Sequence, residues 1–350
     1  MNKSLPLLSL LSLGLIFGGP IDSLTKSATA AGHGKDVNWN LSTWGKRRAF
    51  TEGIEAVSKY VADKSGGHFT IKINYGGTLS KPRENLDGIS LGAFEAATFC
   101  ASYHADKNKS VTVLELPFLP ITNGDVQKAA DLAVYSHPAT IKEMAKWNAK
   151  LMMSAALPQY EFMGRGKEPR TIADFKGMRV RALGGIGKAM KMIGAVPTTV
   201  TAPETYTAIE TGTVDAAAFA FYSHFSYKIN EVSTWRTTNL SPGSVNCPLV
   251  VNIDAYNSLP EKYKKILTEA VDAGYAALDK AYSASIDKYT PQADKQGIKK
   301  ITYSEADLNA FRKAAAQPVW DQWIKEANAA GLPAQELLDL VLKTAKEASK

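Results

Sequence analysis

The chain has 350 residues, of which 45% are hydrophobic, 21% charged and 9% aromatic, a composition that excludes disordered, collagen-like and disulfide-stapled small proteins. Lysine plus arginine number 41 against 34 for aspartate plus glutamate, but no run of five basic residues concentrates the net charge of +7, so nucleic-acid binding is not expected. At about 100 to 200 residues per domain, the length predicts two domains of ordinary size.

The first thirty residues have the three parts of a secretory signal peptide. Lys3 supplies the positive charge, 5–17 the apolar stretch, and Ala28-Thr29-Ala30 a small-residue cleavage site. A transmembrane anchor is the alternative, but the apolar stretch ends at Gly18, short of the ~20 residues that cross a bilayer. We therefore expect export, cleavage near Ala30 and no membrane insertion of the mature chain.

The mature chain begins with elements in the order β-α-β-α-β, which is typical of a parallel sheet. Alternating apolar residues predict strands over 37–42, 69–75 and 94–99. Helical spacing predicts a helix from Phe50 to Gly66 and another from Pro82 to Gly92.

The same order of elements returns over 178–219. Residues 85–99 and 205–219 align without gaps and share Ile, Gly, Ala, Ala and Phe, with Glu95 opposite Asp215. We interpret the two segments as parts of similarly built α/β lobes. The rest of the chain is predicted to be largely helical, over 260–289, 305–329 and 334–349, with a strand at 298–303, and the first of these helices is long enough to brace both lobes.

The topology locates a binding site. In an open parallel sheet, ligands lie beyond the carboxyl ends of the strands, and two such edges that face each other form a cleft. The predicted strand ends lie at 42–44 and 100–104 in the first lobe and at 181–182 and 220–224 in the second.

Three motifs in the second half carry a family resemblance. They are Asp174-Phe-Lys-Gly-Met-Arg-Val-Arg181, Gly194-Ala-Val-Pro197, and the segment from Glu204 to Asp215 with Tyr206, Ala208 and Gly212. In order and spacing they resemble the D-x-K-G-x-K-x-R, G-A-x-P and E-x-Y-x-A-L-x-x-G-x-x-D pattern of the DctP family, the solute-binding subunits of TRAP (tripartite ATP-independent periplasmic) transporters.

The resemblance implies a periplasmic receptor of two α/β lobes joined by crossing strands, with a ligand cleft between them and a long helix across both. Such a receptor closes on one small organic anion and delivers it to TRAP membrane permease subunits. On this basis lobe I is expected over 31–158 plus about 247–286, and lobe II over 159–246 plus about 287–350, including the C-terminal helices. A monomer without a cofactor or metal is expected.

Arg181 matches the last arginine of the first motif, which in the family clamps the ligand carboxylate. A guanidinium at the carboxyl end of a strand fits a carboxylate with two donors, whereas Arg179 on the same side of the strand is expected at the surface. Charge-assisted hydrogen bonds contribute about 1.5 to 3 kcal/mol each, while micromolar affinity requires about 8 kcal/mol. Aromatic walls should supply the rest, and those at predicted strand ends are Trp44, Tyr103, Phe219 and Tyr222.

Two departures from relatives that bind sialic acid bear on the ligand. Those relatives carry an arginine where this chain has Glu161, with Arg165 four residues later, and an asparagine where it has Phe219. The replacement of this arginine and asparagine by Glu161 and Phe219 argues against a sugar acid as the ligand and favours an apolar or aromatic carboxylate. Glu161 is a candidate for holding the cation of a zwitterion, or else a surface residue.

Cys100 and Cys247 are too few for a metal site, and the histidines show no metal-binding spacing. Export permits the two cysteines to pair, but two buried, unpaired thiols are the favoured interpretation. A secreted hydrolase that uses Cys100 and His104 is an alternative function, although no third orienting residue stands out. Another alternative is a receptor for an ATP-driven importer or a sensor kinase.

Overall fold

The structure is a computed structural model that describes residues 36–350, and the predicted signal peptide lies outside the described residues. The strands, in chain order, are β1 (Val37–Ser42), β2 (Phe69–Asn74), β3 (Ala96–Thr98), β4 (Ala149–Ser154), β5 (Tyr160–Gly164), β6 (Arg179–Arg181), β7 (Val196–Thr198), β8 (Ala216–Ala220), β9 (Trp235–Thr237), β10 (Pro248–Asn252) and β11 (Lys299–Ile301).

The α-helices of the same region lie between and after these strands. They are α1 (Glu52–Ser65), α2 (Asn85–Ser90), α3 (Gly124–Ser136), α4 (Pro138–Ala145), α5 (Gly184–Met192), α6 (Thr205–Glu210), α7 (Phe221–Ser226), α8 (Ile253–Asn257), α9 (Glu261–Lys295), α10 (Glu305–Ala329) and α11 (Ala334–Ala348). No helix of residues 36–350 combines the length and apolar character that a bilayer crossing requires.

Two sheets define the two lobes. Lobe I holds the order β2-β1-β3-β10-β4, and lobe II holds β11-β9-β5-β8-β6-β7. In lobe I, β1 is parallel to β2 and β3, and in lobe II, β6 is parallel to β7 and β8, as the sequence predicts. Both sheets are nevertheless mixed, because β10 and β5 run antiparallel to β3 and β8. The chain crosses from lobe I to lobe II between β4 and β5 and returns between β9 and β10.

Burial follows the predicted periodicity in lobe I. In β1, Trp39 and Leu41 are buried while Asn38 and Asn40 are exposed, which is the alternation of a strand with one covered face. The helix α1 buries Ile54, Val57 and Val61 and ends where Gly66 takes the left-handed conformation, with φ of 68°.

The long helix α9 contacts both lobes. On lobe I, the hydroxyl of Tyr275 accepts a hydrogen bond from the Ser154 amide at 3.0 Å, and on lobe II the ring of Tyr289 stacks on Phe225 at 4.5 Å. The close approach to lobe I requires a glycine, because a Cβ at Gly274 would lie 2.5 Å from Met153 Sδ. The helix continues to Lys295, six residues beyond its predicted end.

The structure corrects the placement of the last helix. Residues of α11, including Leu337 and Val341, belong to the same apolar cluster as Ala130 and Val134 of α3, so α11 packs on lobe I and not on lobe II. The reason is that α10 crosses between the lobes: it packs on α5 of lobe II, and Trp323 toward its end donates a hydrogen bond to the Thr112 hydroxyl of lobe I at 2.9 Å.

The aligned segments 85–99 and 205–219 occupy equivalent places. Each contains a short helix, α2 or α6, followed by a central strand, β3 or β8. After β3, Phe99 meets His104 edge to face at 5.6 Å, and at the end of β8 Phe219 meets His224 in the same way at 5.7 Å. Burial lowers the pKa of both histidines to about 4, so both rings are neutral at pH 7. The two lobes therefore share a detailed local structure.

Candidate functional site

A cavity lies between the lobes at the carboxyl ends of β1, β3, β6 and β8. Its volume is only about 20 Å³, room for about one water molecule, so an organic ligand requires the walls to move apart. Both lobes and both crossing segments contribute to it. Its aromatic side chains are Trp44, Phe50, Tyr103, Tyr160, Phe219, Tyr222 and Tyr227.

Arg181 ends β6 inside this cavity and is 1% exposed. Its Nε donates to the Val200 carbonyl at 3.0 Å and its Nη1 to the Ala218 carbonyl at 2.7 Å. These carbonyls orient the guanidinium without neutralising it, and no aspartate or glutamate of residues 36–350 forms an ion pair with it. A buried charge without a counter-ion is costly, so the site favours an anion.

Arg179, two residues earlier, provides the contrast. Its side chain is 50% exposed and its Nη2 lies 2.5 Å from Oδ1 of Asp215, which confirms the surface position expected for it. The ion pair depresses the pKa of Asp215 against the opposing effect of burial. The two arginines thus share one short strand, and the inner one alone lacks a carboxylate partner.

The predicted aromatic residues meet around Arg181. The guanidinium carbon lies 3.9 Å from the centre of the Phe219 ring, and its Nη2 lies 3.4 Å from the hydroxyl of Tyr103. That hydroxyl also accepts a hydrogen bond from the Ala202 amide at 2.9 Å, which joins lobe I to lobe II. Trp44 packs on Tyr103 with ring centres 6.1 Å apart.

Tyr222 lines the cavity from the start of α7 and is 4% exposed. Its ring packs on Tyr282 of α9 at 5.2 Å, and burial holds its pKa far above the usual range, so it stays a neutral phenol. The site therefore combines one buried cation with an apolar, aromatic enclosure.

Glu161 and Arg165 do not reach the cavity. The Glu161 carboxylate accepts hydrogen bonds from the Thr237 hydroxyl, from the Leu240 amide at 3.2 Å and from Ser241, so it holds the crossing segment after β9. Burial raises its pKa. Arg165 follows Gly164, which pairs with Ala216 at the amino end of β8, the opposite edge of the sheet from the cavity.

Cys100 and Cys247 form a disulfide, which corrects the expectation of two unpaired thiols. The bond joins the end of β3 to the segment that enters β10, and both residues line the cavity. The disulfide also contradicts the hydrolase alternative, because Cys100 has no free thiol to act as a nucleophile. In addition, His104 packs against Phe99.

The sequence analysis missed Arg48, although it closely follows the predicted strand end at 42–44. Its guanidinium also lines the cavity, from lobe I, and its Nη1 donates to the carbonyls of Trp44 and Lys46, both at 2.9 Å. The sequence signal that could have identified Arg48 is its position a few residues beyond a predicted strand end.

Further contacts between the lobes surround the cavity. The Nη2 of Arg83 donates to the Thr199 carbonyl at 3.0 Å across the cleft. Glu326 of α10 accepts from Lys109 of lobe I at 3.1 Å and from Lys188 of lobe II at 2.9 Å. These two lysines depress the pKa of Glu326 to about 2 against the opposing effect of burial. The lobes are therefore held together at the cleft by polar contacts that opening would break.

Comparison with known proteins agrees with this architecture. Residues 42–326 match the model of the DctP family, bacterial extracellular solute-binding protein family 7. A monocarboxylate 2-oxoacid-binding periplasmic protein of Nostoc sp. is 25% identical over 82% of this chain and 83% of its own length. The ectoine-binding periplasmic protein TeaA of Halomonas elongata is 24% identical over 81% of this chain and 83% of its own.

Solved structures share the fold at lower identity. A marine metagenome TRAP solute-binding protein specific for aromatic acid ligands, in complex with metahydroxyphenylacetate, has a TM-score of 0.80 at 20% identity and covers 90% of this chain and 100% of that chain. A TRAP solute-binding protein from Rhodoferax ferrireducens with copurified benzoate has a TM-score of 0.79 at 19% identity, with 89% and 98% covered. Since the family model matches most of the sequence, the protein belongs to the DctP family and is a solute-binding receptor of the TRAP type.

Proposed function

We propose that the protein captures a small organic acid with a flat, apolar body and that Arg181 binds its carboxylate. One observation carries the proposal: Arg181 is 1% exposed, lies over an aromatic ring, is unpaired with any acid of residues 36–350 and borders the cavity between the lobes. A carboxylate placed there removes the cost of the unpaired charge and accepts charge-assisted hydrogen bonds.

The walls select the body of the ligand. Seven aromatic side chains line the cavity, and flat rings pack well against such surfaces in offset or edge contacts. The two solved structures named above, which hold metahydroxyphenylacetate and benzoate, support this class. Phe50 and Phe219 offer no hydrogen bonds to the hydroxyl groups of a polyhydroxylated sugar acid.

Transport requires closure and release. In this proposal the acid enters between open lobes, and closure forms the contacts from Tyr103 to Ala202 and from Arg83 to Thr199. Exclusion of water lowers the local dielectric constant and strengthens the ion pair. The closed form then presents a surface that TRAP permease subunits recognise in the periplasm, and the acid leaves unchanged, without catalysis.

The experiment compares two arginines of one strand. Ligands retained by the purified protein are identified by native mass spectrometry, and organic acids are then screened by thermal shift, in which binding raises the melting temperature. We expect Arg181→Met to weaken binding of the selected acid by at least about tenfold, the loss of about 1.4 kcal/mol. Arg179→Met is the matched control, because it removes the same group from the exposed end of β6.

The two variants separate binding from folding. Equal affinity in wild type and Arg181→Met would overturn the assignment of the clamp. If both variants weaken acid binding equally, the loss reflects a general disturbance of β6, and this result would also count against the assignment of Arg181 as the clamp. Circular dichroism of both variants verifies that they keep the overall secondary structure of wild type.

A further inference from the structure

Arg48 places a second cation on the cavity wall, from the lobe opposite to Arg181. It precedes the short 3-10 segment Ala49–Thr51, and the carbonyls of Trp44 and Lys46 hold its Nη1 in place. No acid of residues 36–350 pairs with it, whereas its neighbour Arg47 binds Glu52 at 2.8 Å. The Arg48 charge is therefore fixed in position and left without a counter-ion.

One continuous aromatic wall separates the two guanidinium groups. Arg181 covers Phe219, and the Phe219 ring stacks on Tyr227 with centres 5.8 Å apart and planes inclined by 22°. Arg48 lies 5.4 Å from the centre of the Tyr227 ring and 4.5 Å from that of Phe50. The cations therefore lie at opposite ends of this wall, and both border the same cavity.

We propose that Arg48 is a specificity-determining residue that selects acids with a second carboxylate at the end remote from Arg181. The inference rests on the proposed function and narrows its ligand class to small aromatic dicarboxylates. A monocarboxylate neutralises one guanidinium and leaves the other without an anion, whereas a dicarboxylate satisfies both. A site whose polar group is satisfied only by the correct ligand discriminates strongly against other ligands, because they leave that group unpaired.

Arg48 could instead serve as an anchor for its loop, through the two carbonyl contacts. An anchor and a selecting residue differ in one measurable respect. Loss of an anchor disturbs the cavity wall and weakens every ligand, whereas loss of a selecting residue weakens only ligands that carry the second anionic group.

The test uses three probes and three forms of the full mature chain. Benzoate, isophthalate and terephthalate are titrated by calorimetry into wild type, Arg48→Gln and Arg47→Gln. Arg47→Gln is the matched control, because it removes an equal charge from the adjacent, exposed position. The two carboxylates are farther apart in terephthalate than in isophthalate, so the two probes cover two possible distances between the arginine-binding groups.

We expect wild type to bind one dicarboxylate at least about tenfold more tightly than benzoate. Arg48→Gln should lower the affinity for that dicarboxylate at least about tenfold more than it lowers the affinity for benzoate, and Arg47→Gln should preserve the preference. No preference in wild type, or equal weakening of all three probes by Arg48→Gln, would overturn the inference. If benzoate binding depends on Arg181 but no dicarboxylate is preferred, the proposed function stands and the role of Arg48 fails. If no acid binds in a way that depends on Arg181, the proposed function and the role of Arg48 both fail.

Discussion

The guanidinium carbon of Arg181 lies over the ring of Phe219, 3.9 Å from its centre, where the carboxyl ends of β6 and β8 meet. The contact follows from the parallel pairing of the two strands, in which Arg181 is the register partner of Ala217. The ring supports the cation without supplying a negative charge, and no acid of residues 36–350 pairs with it; in the proposed function the ligand supplies the carboxylate.

Phe219 should therefore contribute to affinity as well as to packing. We expect Phe219→Leu to weaken acid binding by about 0.5 to 2 kcal/mol, because the aromatic contact with Arg181 and with the ligand is lost. The control is Phe99→Leu, which changes the equivalent position of lobe I, where the ring meets His104 outside the cavity lining. Calorimetry on both variants checks this, and equal losses of affinity would contradict it.

The duplicated segments and Arg181 were predictable because their signals are local. Gly92 and Gly212 end short helices at matching positions, and the strand that follows each has a recognisable apolar pattern. Arg181 was predictable from the last arginine of the family motif and from its place at the carboxyl end of a predicted parallel strand, the edge of the sheet where ligands bind.

Other features depend on the crossing segments and were not predictable. The strand β10 enters lobe I between β3 and β4, and this pairing alone brings Cys247 beside Cys100, 147 residues earlier. The sequence offers Glu161 as a candidate for holding a ligand cation or else as a surface residue, but its carboxylate accepts hydrogen bonds from amides of the segment after β9. Contacts of this kind depend on which strands pair across long sequence separations, and that pairing leaves no periodic signal in the sequence.

The disulfide should be a major source of stability. Removal of a native disulfide that closes a long loop costs about 2 to 5 kcal/mol, chiefly because the unfolded chain gains freedom. We expect the Cys100→Ser, Cys247→Ser double variant to unfold at clearly lower urea concentration than wild type. Dithiothreitol should lower the midpoint of wild type toward that of the variant and leave the variant unchanged, and similar midpoints for the two oxidised proteins would contradict this account.

Glu326 should slow the opening of the cleft. It links Lys109 of lobe I to Lys188 of lobe II, so Glu326→Gln removes a contact that the open form lacks. Partly exposed ion pairs contribute up to about 1 kcal/mol, which predicts a ligand dissociation rate about two- to fivefold higher. Glu336→Gln is the control, because its partner His137 lies in the same lobe. Stopped-flow measurements of dissociation that find identical rates for Glu326→Gln and wild type would refute the role.

Glu115 should make stability depend on pH. Burial raises its pKa to about 7 from 4.5, although hydrogen bonds from Ser102 and Asn246 oppose the shift. The folded protein thus retains a proton that the unfolded chain releases, so the contribution of Glu115 to the free energy of unfolding is full below pH 4.5 and is lost as pH rises to 7.

Glu115→Gln removes that titration. Relative to wild type, the variant should gain stability between pH 5 and pH 8, by up to about 3 kcal/mol. Urea unfolding at both pH values measures the difference. A difference between variant and wild type that is the same at pH 5 and pH 8 would show that this carboxyl group does not titrate as the structure implies.

The most direct test of the central claim is a crystal structure of the mature protein with an acid that it binds in solution, benzoate or a copurified ligand. We expect one carboxylate of the acid to lie within about 3.2 Å of the Arg181 guanidinium nitrogens, with its body between the aromatic walls. An acid bound elsewhere, or one bound in the cavity with its carboxylate turned away from Arg181, would contradict the account.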